Sequence, residues 1–519
     1  MFGFSFGFRF CKRLYNQIIN IYKINTHINL IYNSFNESDI KQKENFESLK
    51  QIIFSCGSLY IKCFQWYISK IKSNIIDINY TVKKNLADAN TDLDININKS
   101  KQLLKFIKYF EDIFEQCPYH DIEHTKKVFC NSMFGITLDS YIDMNTFKSI
   151  ASGSIGQVYY ARRKTDNLEI AIKIKHPNIT EDLANQYEII TFFKIIQKIP
   201  FLRNYYNLYF NIDDFLLDIN LQCDFNNEAN NCKIFQDNFK DSSNHIVFPK
   251  IIYQSNDLLI SEFIDGESFE DLTDMQKYQT SINFMCFFYQ MLLVDNFIHG
   301  DLHCKNWKIK NNKETNTIQI VVYDCGICFK NSTLELSTGF WFALINYDIE
   351  SLNNILITFI SETTNNNNLN IDKIKKDINV LFYNILNKSV STSFVLISII
   401  NFFRSNNIIV HKFLLNLSIL VCVIEEFLKE NSLINKDKNN IKRTSMFEIV
   451  CDSQLDVIAF CDVKKCYSNV SSLFSLDMNN KYSKYKSNIL KNNITETANN
   501  DKKLFSNLSI STLKFRPPE

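Results

Sequence analysis

Glycine and proline are scarce in this chain, with 10 and 6 in 519 residues, while Ile, Asn, Lys and Phe are abundant. That texture reads as AT-rich coding bias before it reads as function, and it accounts for N-x-S/T triplets such as Asn178-Ile179-Thr180 better than glycosylation does. No apolar run reaches the ~18 residues of a membrane span, so no transmembrane helix is predicted. The strongest candidates, 392–403 and 413–424, are bounded by Arg404, Lys412 and Glu425 and read as buried helices. Charge of one sign is also lacking: 57 Lys+Arg nearly cancel 56 Asp+Glu, which gives no field favouring nucleic acid, and no nucleic-acid partner is expected. The 15 cysteines are odd in number and scattered, which excludes a disulfide framework and points to a reducing compartment. Cys325 and Cys328 form one C-x-x-C.

The length allows two to four domains. The first 35 residues carry Arg9, Lys12, Arg13 and Lys23 without an acid, and Phe alternates from Phe2 to Phe10. Residues 1–45 are therefore expected to be an organellar presequence or a disordered, weakly membrane-adhesive segment. If a presequence, the setting is mitochondrion-like; otherwise it is cytoplasmic. Residues 46–145 read as a helical extension, with apolar spacing predicting a helix from Glu47 to Lys72. Residues 479–519 form a polar tail.

Between them lies an ordered set of small motifs. Ala151, Ser152, Gly153, Ser154, Ile155, Gly156 and Val158 fit a Gly-rich loop in which small residues let backbone N–H groups approach phosphate oxygens. A turn at Thr165–Asn167 leads to Ala171-Ile172-Lys173, where Lys173 matches the lysine that holds α/β-phosphates. A helix from Asp213 to Phe239 carries Asp224 and Glu228 at helical spacing, and Glu228 is the expected partner of Lys173. The gap between Lys173 and Glu228 exceeds that of an ordinary protein kinase, so an insertion is expected. Glu262 to Gly266 reads as the hinge between lobes, and residues 146–266 as the N-lobe.

Residues 267–478 then form a mostly helical C-lobe. Its centre is Asn296–Asn306, where Asp301 follows His299-Gly300 and Asn306 follows five positions later. A carboxylate that orients an acceptor hydroxyl and an amide that holds Mg²⁺ are the parts phosphoryl transfer needs. A hairpin delivers Asp324-Cys325-Gly326, a D-x-G whose aspartate is the second metal-ligand candidate.

This set resembles the UbiB-type (AarF-domain) atypical kinases over roughly residues 50–345. Their acidic helix, E-x-D followed by E-A-x-N, is matched by Gln222, Asp224, Glu228, Ala229 and Asn231. Their H-x-D-x-H-P-G-N is matched by His299, Asp301, His303 and Asn306, and the polar slots of their K-x-G-Q hallmark by Lys62 and Gln65. Phe64 replaces the hallmark's Gly, Gln222 the first acid, and Cys304-Lys305 the Pro-Gly. The resemblance implies an α+β, protein-kinase-like two-lobe fold with ATP and Mg²⁺ as cofactors. It implies a regulatory helix carrying Lys62 and Gln65 that covers the site, and work near lipid, quinone or a membrane surface. Kinase or ATPase activity follows as the expectation. The alternatives are a soluble phosphotransferase of the aminoglycoside or choline kinase type, a non-catalytic nucleotide-binding scaffold, and a transition-metal site at His299, Asp301, His303 and Cys304. No oligomeric state is assigned.

Overall fold

The structure, a computed structural model, describes residues 2–33, 38–65, 68, 93–110, 113, 116–185, 187–201, 203, 209–240, 245–302, 305–312, 317–345, 348–363, 370–386 and 392–430. The expected tail at 479–519, His303 and Cys304 lie outside these residues.

Among the described residues, ten strands build three sheets. The largest is antiparallel, in the order β1-β2-β3-β6-β5: β1 (Ile142–Ser152), β2 (Gly156–Arg163), β3 (Glu169–Lys175), β5 (Ile251–Gln254) and β6 (Leu258–Glu262). In β3 the period of two puts Ile170, Ile172 and Ile174 fully into the core, and therefore Ala171 and Lys173 on the opposite face. The β2–β3 hairpin closes at Thr165–Asn167, with Asn167 at φ 60° and the Arg163 guanidinium donating to the Asp166 carboxylate.

Below the sheet, β8 (Trp307–Asn312) and β9 (Thr317–Val322) form the expected hairpin, and the short β4 (Ile246–Val247) adds to β9 in parallel. The two-stranded β7 (Ile298–His299) and β10 (Cys328–Phe329) flank the segment between them. Helices Asp274–Tyr289, Leu334–Ile345, Ile349–Thr363, Ile371–Leu386, Thr392–Ser405 and Lys412–Glu430 surround these strands with one large aromatic-rich core. This is the kinase-like, two-lobe α+β fold.

Two expected helices are interrupted, each for a local reason, and the helix Asp274–Tyr289 changes form at its end. The helix over 47–72 breaks at Gly57, whose φ of 97° only glycine adopts readily, into Asp39–Cys56 and a helix over 58–65. The helix over 213–239 breaks into Ile212–Gln222 and Phe225–Asn238 because Asp224 turns out of the helix and caps the second one, accepting the Asn226 N–H at 3.0 Å. The long helix before the central loop ends in a π-helical stretch, Gln290–Asp295, stopped by Asn296 in the left-handed region. Within the first 45 residues, Phe2–Asn33 is helical, and Ile24, Ile28 and Ile31 pack into the same aromatic cluster as Phe46 and Phe110. Among the described residues no helix is long and apolar enough to cross a membrane.

Candidate active site

Five segments converge on one cleft between the lobes. The strand period aims Lys173 into it, and the capped helix Phe225–Asn238 turns Glu228 toward it on the buried face it shares with Phe225, Ala229, Cys232 and Phe235. Lys173 Nζ donates to both Glu228 oxygens, at 2.8 and 2.7 Å, and to Asp324 Oδ2 at 3.0 Å. Burial works against the Lys173 charge, but the Asp324 and Glu228 carboxylates outweigh it and hold the ammonium above its ordinary value. Burial, reinforced by the Asp324 charge, pushes the Glu228 carboxyl up to about 7 despite Lys173. Burial likewise opposes the Asp324 charge, but Lys173 and the Gly326 N–H, at 2.8 Å, pull that carboxyl well below the usual range.

The catalytic-loop candidates are held from behind. His299 is fully buried, and its ring bridges the Asp324 carbonyl and the Asp301 N–H. Asn306 Nδ2 donates to the Asp301 carbonyl at 2.8 Å, and Tyr323 N–H donates to the Asn306 carbonyl at 3.0 Å. Asn231 Nδ2 donates to the Cys325 carbonyl at 2.9 Å, which ties the acid-bearing helix to the D-C-G turn. The Tyr323 hydroxyl donates to the hinge carbonyl of Ile264 at 2.9 Å.

The cleft has a volume near 340 Å³, in the range of small-molecule sites. Ala151, Gly153, Ser154, Ile155, Gly156 and Val158 border it from the β1–β2 hairpin, and Glu262 from the hinge, with Ala171 and Leu259 as an apolar slot. Asp301, Asn306 and Asp324 border its floor. Lys62, Gln65 and Gln222 border it from the helical side, and Gln65 Nε2 donates to the Ile113 carbonyl at 3.0 Å. Phe64 does not intrude. It packs away from the cleft, its ring 5.0 Å from Phe110, so the residue in the hallmark's glycine slot anchors the covering helix in the N-terminal aromatic core.

Two expected site residues stand elsewhere. Ser152 is the last residue of β1; its hydroxyl donates to Pro118 O at 3.3 Å and does not border the cleft, because side chains alternate along the strand. Asp224 caps its helix and does not border the cleft either. Sequence reasoning in turn missed Phe225, whose ring lies 5.2 Å from the Lys173 ammonium and against Gly156, and the lysines Lys305 and Lys308 at the cleft mouth. The Gly156 position admits no Cβ, which would sit 2.8 Å from Ile174 O. Cys325 and Cys328 are no reactive pair: a hydrogen bond with Cys232 and burial push the first thiol up, and burial the second. A transition-metal site through His299 is excluded by the bonds that already engage its ring.

Residues 112–356 match the ABC1 atypical kinase-like domain. The chain is 28% identical over 220 residues to the probable serine/threonine-protein kinase abkC of Dictyostelium discoideum, covering 40% of this chain and 31% of that one. It is 32% identical over 182 residues to a mitochondrial ABC1 family protein of Saccharomyces cerevisiae, covering 30% and 27%. A probable protein kinase UbiB of Aliivibrio fischeri is 27% identical over 204 residues, covering 37% of each. The matches thus span about a third of the length of these relatives. The resemblance to the UbiB-type atypical kinases is borne out.

Proposed function

From an ABC1 atypical kinase-like domain at residues 112–356, we propose that this cleft binds Mg·ATP and transfers or hydrolyses its terminal phosphate. The observation that carries this reading is the Lys173 ammonium shared by Glu228 and Asp324 beneath a small-residue hairpin. Lys173 and Lys62 both act on these two carboxylates, and the carboxylates supply the oxygen donors. With the amide oxygen of Asn306 nearby, the donors are hard oxygens, which suit Mg²⁺. Asn306 and Asp324 would hold the metal, which when bound neutralises charge on the phosphates.

The chain's own groups do the rest. Gly153 to Gly156 lets backbone N–H groups face phosphate oxygens, and Lys173, freed from Asp324, pairs with phosphate while Glu228 keeps it in place. Val158, Ala171 and Leu259 offer apolar faces to the base. Asp301 accepts the proton of the attacking hydroxyl or water. Lys62 and Gln65, on a helix that borders the cleft, narrow the entry for an acceptor. That favours ATP hydrolysis or a small or lipid acceptor over a folded protein. A link to lipid or quinone metabolism follows the UbiB resemblance, and an organellar setting follows the mitochondrial yeast relative. The test is phosphate release from Mg·ATP with and without lipid vesicles. Turnover of a soluble amino-alcohol instead would transfer the assignment to the choline-kinase type.

A further inference from the structure

Behind the phosphate-binding hairpin, on the side away from Lys173, lie three histidines from two segments: His120 and His124 at the start of helix Ile122–Ser132, and His176 just after β3. Their rings meet edge to face, with centroids 4.8 Å apart for His120–His124 and for His120–His176. Nothing in the proposed phosphoryl chemistry uses them.

The hydrogen bonds fix the ring protons of His176 and His120. His176 Nε2 lies 3.0 Å from Gly153 O, and a carbonyl only accepts, so Nε2 carries the hydrogen. The Nδ1 of a neutral His176 is then an acceptor, and it faces His120 Nδ1 at 2.7 Å, which must donate. That makes His120 Nε2 an acceptor, with the Thr125 hydroxyl 2.9 Å away, and Thr125 Oγ1 in turn shares a hydrogen bond of 2.7 Å with the Tyr159 hydroxyl. From His120 the chain runs one way, through His176 to the carbonyl of Gly153, while the Thr125 and Tyr159 hydroxyls both lie within reach of His120 Nε2, at 2.9 and 3.4 Å. His124 is engaged separately, donating to Lys175 O at 2.9 Å, and the Lys175 ammonium pairs with Asp257 at 2.6 Å. Burial and the two neighbouring histidines lower the His120 pKa to about 4, which keeps the pair neutral against the opposing pull of Asp121 at the helix cap.

His176 grips the hairpin a second time. Its backbone N–H donates to Ile155 O at 2.9 Å. Two carbonyls of one tight turn, closed by Gly153 N–H to Gly156 O at 3.0 Å, therefore point at one residue. In a trans peptide unit the N–H points opposite to the C=O. Holding the carbonyls of Gly153 and Ile155 on His176 turns the N–H groups of Ser154 and Gly156 away from the histidines, and both residues border the cleft.

We propose that His176, oriented by His120, is a positioning residue that presents the backbone N–H groups of Ser154 and Gly156 to the phosphates of the nucleotide. The clamp acts on binding, not on proton transfer at the acceptor, and it rests on the nucleotide reading given above.

Calorimetry of Mg·ATP binding to the full chain, paired with steady-state kinetics, separates the two. A wild type that takes up no nucleotide overturns the nucleotide reading and the clamp together. With binding established, His176→Phe is expected to raise Kd and KM about tenfold, the worth of one hydrogen bond, with a smaller change in kcat. His176→Gln, whose amide nitrogen reaches as far as Nε2, recovers most of the affinity, while the shorter His176→Asn does not. His120→Phe, which leaves His176 without its orienting donor, falls between. Affinities within about twofold of wild type for His176→Phe and His120→Phe overturn the clamp alone. Should either phenylalanine variant fail to fold, equal affinities for His176→Gln and His176→Asn overturn it.

Discussion

Lys173 and Glu228, 55 residues apart in the chain, meet through two hydrogen bonds of 2.8 and 2.7 Å, with the Glu228 side chain 5% exposed. A buried pair of this kind contributes little net stability while intact but is costly to break, because the remaining charge has lost its partner. Glu228→Ala is expected to destabilise the fold by about 3 kcal/mol, read from urea denaturation. An unchanged midpoint would mean that Asp324 alone suffices for Lys173.

Gly156 is the second sensitive point. A methyl group there would press on the Ile174 carbonyl and on the Phe225 ring, 2.9 Å away, and the carbonyl cannot rotate aside. Gly156→Ala is expected to cost about 1–3 kcal/mol and to weaken nucleotide binding. A melting temperature equal to wild type contradicts the close approach of hairpin, β3 and capped helix.

Asp301 and Asp324 border the same cleft but are assigned different work. Asp301→Asn is expected to lower turnover by about a hundredfold or more while Mg·ATP affinity stays within a few-fold, since general-base catalysis is lost and the phosphate contacts are not. Loss of affinity in place of turnover would reassign Asp301 to the metal.

Acid should weaken the fold through the histidine cluster. The His120 pKa is about 4 in the folded chain, below its ordinary 6.5, because burial and then its neighbours disfavour the cation, and His176 is lowered by burial as well. Their neutral forms therefore favour folding fully above pH 6.5. That contribution is lost as pH falls toward 4, since the unfolded chain takes up protons first. Chemical denaturation at stepped pH should show this loss, and a shallower slope in His120→Phe. Equal slopes would remove His120 from the account.

How much of this was legible in the sequence depends on whether a residue acts through its type or through its surroundings. Lys173, Asp301, Asn306 and Asp324 stand in spaced motifs, and the alternation Ile170-Ala171-Ile172-Lys173 already implied which face the lysine takes. Phe64 read as a departure in a hallmark, and only the ring of Phe110 shows that it faces the extension's core. Ser152 and Asp224 read as site residues by motif position, whereas strand alternation and a capping turn send their side chains elsewhere. The His120–His176 contact joins residues 56 apart. No local pattern announces it, because each histidine alone is an ordinary polar residue. The helix Phe2–Asn33 was obscured by its acid-free composition with basic and aromatic residues near the start, which suits a targeting segment equally well.

The measurement closest to the central claim is the melting temperature of the full chain with and without saturating Mg·ATP, in the wild type and in Asp324→Asn. Ligand at about a hundred times Kd should stabilise the wild type by about 2.7 kcal/mol, a rise of a few degrees. Asp324→Asn should show none of it. A wild type whose melting does not respond to Mg·ATP, or a variant that responds in full, would contradict the assignment of this cleft to a nucleotide and its metal.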